Sequence, residues 1–369
     1  MHYTTTPLQF GYFLALLFTV LLIVRGWREE RISDILLGLV VFLLGMEIQD
    51  YTFGNSGINY LWEELNGFPR YFGLAFAPMI YLYLKAQINR EFKFQLTDLK
   101  HFIPYLIYFI FHFIVFLNGK TAIDYIQKSD VGQYVLYIES IATWVLYIVY
   151  FTKSLRLYKG YKNWIEGQFS DTDSIGFEWL RNFIFLIIAG EVFKWIWLIT
   201  DFFMHLPFTE DWWWNLFTVF VIIYVAVSGY TQIQPKRLVY SPIIEKENSI
   251  LETEKDQEVD YSDWEKKIDR LMNEEKVYLD PELSLNELAT KLKTNSSVIS
   301  ATINKNFGKN FNDFINEFRI EAFKEQIKLP QNKQYTILAV ALDCGFNSKA
   351  TFNRAFKKVT GGSPKGFIE

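Results

Sequence analysis

The sequence predicts an all-α protein of two unlike parts: a polytopic bundle of about seven membrane helices, then a water-facing domain of short helices. Three observations predict it. Apolar runs of near-bilayer length recur from Leu8 to Tyr230. From Thr231 onward charge is dense and long apolar runs stop. From Trp264 apolar residues return at three- and four-residue spacing, the period of amphipathic helices. A hydrophobic fraction of 50% and a net charge of −4 average over both parts and describe neither. The expected division is a membrane part over 1–230, an acidic linker over 231–261 and a cytoplasmic domain over 262–369.

A helix needs about 20 mostly apolar residues to cross the hydrocarbon core. The expected spans are Leu8–Val24, Ile35–Glu47, Tyr71–Leu84, Phe102–Leu117, Tyr134–Thr152, Phe177–Thr200 and Trp213–Tyr230. The second and third are short, so their ends must extend or the bilayer must thin around them. Loop cations set the orientation. Arg25, Arg28, Arg31, Lys85, Arg90, Lys93, Lys100, Lys153, Arg156, Lys159 and Lys162 fall in one set of loops, and Arg70, Lys120 and Lys128 in the other. The richer set faces the cytoplasm, which puts the N-terminus outside and the C-terminus inside, as in a multi-pass protein of a bacterial inner membrane. The opening "MHYTTTPLQF" lacks the basic start of a cleaved signal peptide. Trp195, Trp197 and Trp212–Trp214 read as an aromatic belt at the outer interface.

His112, Glu139, Arg181, Glu191 and Lys194 lie inside expected spans. Ionisable groups are costly in hydrocarbon and mark either structural pairs or the floor of a polar pocket. Glu191 and Lys194 stand three residues apart on one helix and can pair with each other. His112, Glu139, Glu191 and Lys194 are the candidate pocket. A buried Lys in a bundle of this kind also raises a retinal Schiff base, but the last span has no Lys.

Between Ser241 and Asp263 eight acids face only Lys246 and Lys255, the composition of a solvated spacer repelled by anionic lipid and by DNA. Beyond it, Trp264, Ile268, Leu271 and Met272 share one helical face. Ser284 with Glu287 forms a capping box, and Leu285, Leu288, Ala289 and Leu292 form a buried face. After the turn "KTN" a second helix runs over about 296–307. Its face of small polar residues, Ser297, Ser300, Ala301 and Asn304 with Lys305 at the flank, permits close approach to a major groove. Thr302 and Asn306 are expected on the inner face beside Ile299. A long helix carries Phe311, Phe314, Ile315, Phe318 and Ala322 and ends near Lys328, before Pro330.

The pattern then repeats. Ile337–Leu342 form a helix, Gly345 supplies a tight turn, and Asn347 or Ser348 caps the next helix. There Phe352, Ala355, Phe356 and Val359 face the core, while Lys349, Ala350, Thr351, Asn353, Arg354, Lys357 and Lys358 lie outward or at the flank. From Lys291 to Glu369 thirteen bases stand against six acids, the footprint of a DNA binder. Nothing points to catalysis, a metal or a cofactor. The single cysteine, Cys344, and four scattered His residues make no metal-ligand spacing, and no P-loop, GxGxxG or GxSxG is present.

"SLNELATKLKTNSSVISATINKNFGKNFNDFINEFRIEAFK" and "ALDCGFNSKATFNRAFKKVTGGSP" resemble the DNA-binding domain of AraC-type (AraC/XylS) transcriptional regulators, over about Ser262–Phe367. The resemblance implies two helix-turn-helix units held by a linking helix, each placing one recognition helix in successive major-groove faces. By position it makes Ser297, Ser300 and Ala301 base-facing in the first helix, and Lys349, Ala350, Thr351 and Arg354 in the second. Ala301 stands where several relatives carry a long polar or basic side chain, so the first readout should be weaker or more apolar. The terminal "GFIE" lacks the family's Tyr-Arg pair. "AFAPMIYLYLK" and "LKHFIPYL" are similar to the integral-membrane N-terminal region of some AraC-type regulators from the Bacteroidetes group, through Pro78, Tyr81, Tyr83, His101 and Pro104.

The expectation is a membrane-anchored one-component regulator, not an enzyme. It would bind double-stranded promoter DNA under control of an unknown small-molecule or membrane signal. Membrane lipid, a second copy of the chain and, for an activator, RNA polymerase are the other expected partners. The alternative is a transporter or intramembrane enzyme with a regulatory DNA-binding tail. A third reading reuses the helix-turn-helix fold to bind protein.

Overall fold

The structure, a computed structural model, describes residues 6–61, 63–172, 175–205, 208–232, 240, 261–332 and 334–368. The expected acidic linker therefore lies almost wholly outside the described residues. Among those residues every regular element is helical, and Phe169 forms an isolated antiparallel bridge with Ser284. The chain forms two compact units, Met1–Tyr158 with Glu178–Val239, and Lys159–Phe177 with Tyr240–Glu369. Lys159–Phe177, which the sequence groups with the membrane part, thus belongs to the C-terminal unit.

The N-terminal unit contains α1 (Thr6–Arg28), α2 (Ile32–Asn55), α3 (Gly73–Ile88), α4 (Ile103–Leu117), α5 (Lys120–Lys128), most of α6 (Asp130–Gln168), α7 (Glu178–Met204) and α8 (Trp212–Thr231). Among the described residues six helical stretches are long and apolar enough to cross a bilayer: Thr6–Arg28, Ile32–Asn55, Leu96–Leu117, Asp130–Gln168, Glu178–Asp201 and Trp212–Thr231. The short second span gains the length it needs by running on to Asn55. The third does not. α3 has 16 residues with Pro78 inside it, so it rises about 24 Å against a core of about 30 Å. It is enclosed by protein instead, with Leu74, Ala77, Ile80, Leu82, Tyr83 and Leu84 all buried.

Small residues bring α1 and α2 together, since a Cβ on Gly45 would lie 2.9 Å from the Cβ of Ala15. Thr19 donates to the Gly38 carbonyl oxygen at 3.2 Å across the same contact. Arg25 closes its end, donating to Asp34 at 2.7 and 2.9 Å and to the carbonyls of Gly229 and Tyr230. The opposite surface is apolar and exposed, as at Ile107, Ile110 and Ile114 of α4 and Ile138, Ile141 and Ile148 of α6.

The C-terminal unit contains α9 (Tyr261–Asn273), α10 (Leu285–Lys291), α11 (Ser296–Thr302), α12 (Phe311–Gln326), α13 (Ile337–Asp343), α14 (Lys349–Thr360) and α15 (Pro364–Ile368). Its two helix pairs are α10 with α11 and α13 with α14. The expected capping box is present: Ser284 receives the Glu287 N–H and donates its own to Glu287. Asn295, Asn310, Thr336 and Ser348 cap the following helices through their side-chain oxygens. α11 is shorter than the sequence suggests. After Thr302 the chain winds into a π turn over Ile303–Phe307 and stops at Gly308, φ +66°. α12 joins the two pairs because its apolar face is shared: Phe311, Phe314 and Ile315 pack into the core of the first, Ile320 and Phe323 into that of the second.

Candidate functional site

The second helix pair places its side chains as an amphipathic helix demands. Phe352, Ala355 and Phe356 are buried in the core with Phe323 and Phe346, leaving Lys349, Ala350, Asn353, Arg354, Lys357 and Lys358 exposed. Thr351 differs from expectation. It is only 6% exposed, because its backbone N–H is taken by the capping Ser348 oxygen at 3.1 Å and its hydroxyl lies 2.9 Å from the same oxygen. Lys358 donates to both oxygens of Asp313 on α12, at 2.6 and 2.7 Å. Any phosphate contact by Lys358 competes with that pair.

On the first pair, Ser297, Ser300 and Ala301 are half-buried, while Asn304 and Lys305 are exposed on the π turn. The Lys305 ammonium sits 4.4 Å from the centre of the Tyr261 ring. Thr302 is buried as expected, donating to the Val298 carbonyl oxygen at 2.8 Å. Asn306 is corrected: it is exposed and donates to Glu265 at 2.6 Å, because the π turn rotates it off the α-helical face.

Arg319 was legible only as one more base. The structure withdraws it from any surface role, at 0% exposure. It donates to the carbonyls of Tyr278 and Asp280, each at 2.7 Å, and to the Ser170 hydroxyl at 3.0 Å. Burial pulls its guanidinium down to about 10, partly offset by Asp171 and Asp280, so it is charged at neutral pH. Gly345 packs against it with φ +92°, where a Cβ would meet the Tyr278 carbonyl oxygen at 2.6 Å. The Cys344 thiol is buried beside this seam and pushed up to about 11 by burial and by Asp343.

In the N-terminal unit, His112, Glu139, Glu191 and Lys194 border one cavity of about 480 Å³, together with Glu47, Tyr71, Tyr108, Thr143, Trp144 and Tyr147. His112 Nε2 lies 2.7 Å from Glu139. The expected Glu191–Lys194 pair is corrected: Lys194 donates to Glu47 at 2.6 Å. The expected span Ile35–Glu47 ends at Glu47, so nothing in the apolar pattern turns that carboxylate inward. Arg181 is apart from this group, donating to Asn182. Of the expected aromatic belt, Trp197 donates to Asp211 at 3.0 Å, and Trp214 lies 5.4 Å from the Lys194 ammonium at the inner side of the bundle.

Residues 288–369 match the model of a family described as a helix-turn-helix domain, of AraC type. The chain therefore carries an AraC-type DNA-binding domain at its C-terminal end, which supports binding to double-stranded DNA and a role in transcription regulation. No curated protein and no solved structure matches the chain.

Proposed function

We propose that the protein is a membrane-anchored one-component transcription regulator, inserted in the bacterial inner membrane with its DNA-binding domain in the cytoplasm. The observation that carries the reading is the union, in one chain, of an AraC-type helix-turn-helix match over 288–369 with six helices apolar enough to cross a bilayer. The exposed apolar faces of α4 and α6 suit lipid. Both helix pairs act as helix-turn-helix units. α14 supplies most of the direct readout, since Lys349, Arg354 and Lys357 are long and exposed while Ser297, Ser300 and Ala301 are short and half-buried. A signal molecule occupies the cavity around His112, Glu139, Glu191 and Lys194. Carboxylates and aromatic rings in that lining suit a small organic cation. A ligand acts there only through unequal affinity for two states of the bundle.

The test is selection of duplexes from a random-sequence pool by the full-length protein in detergent micelles. Recovery of a defined motif is expected, and no enrichment overturns the reading. Arg354→Ala should lose about 1–3 kcal/mol of discrimination at one base position. Uniform weakening across sequences would make Arg354 a phosphate contact instead. The same lining also suits a transporter, and measurable flux of an organic cation in proteoliposomes would favour that reading.

A further inference from the structure

The segment that follows α6 is built into the C-terminal unit as if it were one of its own elements. α6 ends at Gln168, and Phe169 then bridges to Ser284. The Ser170 N–H donates to the Leu283 carbonyl oxygen at 3.2 Å. Asn312 of α12 donates to the carbonyls of Phe169 and Ser170, at 3.3 and 2.8 Å. The Ser170 hydroxyl, fully buried, receives Arg319. Asp171 reaches the turn before α14, where Asn347 donates to its carboxylate at 3.0 Å and the Thr351 hydroxyl lies 3.5 Å away. The segment has its own footing: Tyr161 is buried, stacks on Phe177 at 5.8 Å and donates to the Ile175 carbonyl oxygen at 2.6 Å.

This strap lies on the side of α14 that DNA needs. Arg354 and Thr351 line a recess of about 350 Å³ whose other wall includes Glu166 and Thr172 of the strap. Asp171 thus stands at the start of α14 beside Asn347 and Thr351, and Glu166 shares a recess with Arg354. A phosphodiester backbone presents the same anionic oxygens to the same donors. We propose that the end of the strap, Asp171 with Thr172, is an internal competitor of DNA. Docked, it covers the start of α14, and the duplex binds after Asp171 withdraws while Phe169 and Ser170 stay in place.

The strap also has a route to the signal. Glu139, Thr143, Trp144 and Tyr147 of α6 line the charged cavity, and the strap begins where that same helix ends. A ligand that moves α6 changes the strap's hold without any second messenger. The proposal rests on the DNA-binding reading above, and a protein restrained in this way binds DNA with an affinity reduced by the fraction of undocked strap.

The experiment uses the full chain in micelles and a fluorescein-labelled duplex enriched from a random pool by the Asp171→Ala variant. That variant should bind the duplex about tenfold tighter than the unaltered chain, the effect of losing one charge-assisted contact. A second variant, Asp171→Cys with Asn347→Cys, puts a thiol in place of each of the two side chains that now meet, and the bridge is verified before binding is read. Oxidised, it should bind at least about tenfold more weakly than when reduced. The buried Cys344, with its raised pKa, stays out of that exchange. Equal or weaker binding by Asp171→Ala overturns the proposal, as does equal binding by the oxidised and reduced pair. If no variant enriches any sequence, it is the DNA-binding reading that fails, and the strap proposal with it.

Discussion

Arg319 and Lys194 are both cations enclosed by helices, yet their surroundings differ. Arg319 is at 0% exposure, and its donors point at the carbonyls of Tyr278 and Asp280 and the hydroxyl of Ser170 in a seam with no room left. Lys194 has one close carboxylate, Glu47, and borders a cavity of about 480 Å³. A filled polar cluster fixes a geometry, because removing any member strands the others away from water. An unfilled one leaves space for water or a ligand to replace a lost partner. Arg319 therefore belongs to the architecture of the C-terminal unit, while the Lys194 group leaves room beside it.

Four substitutions break or sharpen this contrast. The largest effect is expected from Arg319→Met, which leaves two buried carbonyls and the Ser170 hydroxyl unmet and should cost about 3–5 kcal/mol. Cys344 reports it, being the single cysteine, 1% exposed and with a raised pKa. Its alkylation should accelerate by about a hundredfold or more, and an unchanged rate would show that the seam is held by something else. Gly345→Ala should follow, at about 2 kcal/mol, since it forces a Cβ into a left-handed position against the Tyr278 carbonyl. The same alkylation assay reads it.

Lys194→Gln should cost only about 1 kcal/mol in a thermal melt of the micellar protein, because solvent in the cavity can meet Glu47. A loss as large as that of Arg319→Met would make the cavity a structural cluster and erase the contrast. Ser284→Ala, a cap outside both groups, sets the baseline at about 0.5–1 kcal/mol. It should slow neither the alkylation of Cys344 nor raise it by more than about fivefold.

Much of the C-terminal fold was legible because its signals are local. The capping box at Ser284 and Glu287, the turn glycine Gly345, the cap at Ser348 and the apolar row Phe352, Ala355 and Phe356 each act within a few residues. The charged cavity was half legible. A polar residue in an apolar run announces itself, which marks His112, Glu139, Glu191 and Lys194, but its partner does not. Lys194 lies three residues from Glu191, and the packing of α2 against the bundle brings Glu47 to it instead. Arg319 and Asp171 were illegible for the same reason. The meaning of each comes from a residue 149 or 176 positions away that the fold carries to it. The π turn at Ile303–Phe307 was likewise hidden, since its residues continue an α-helical pattern until Gly308.

The central claim is that one chain both enters a membrane and reads DNA, and chromatin immunoprecipitation of the full-length protein from intact cells tests it most directly. Discrete promoter fragments sharing one motif should be enriched, and Arg354→Ala should lower that enrichment while the protein stays in the membrane fraction. Recovery of DNA at background, or of fragments with no shared sequence, would contradict it.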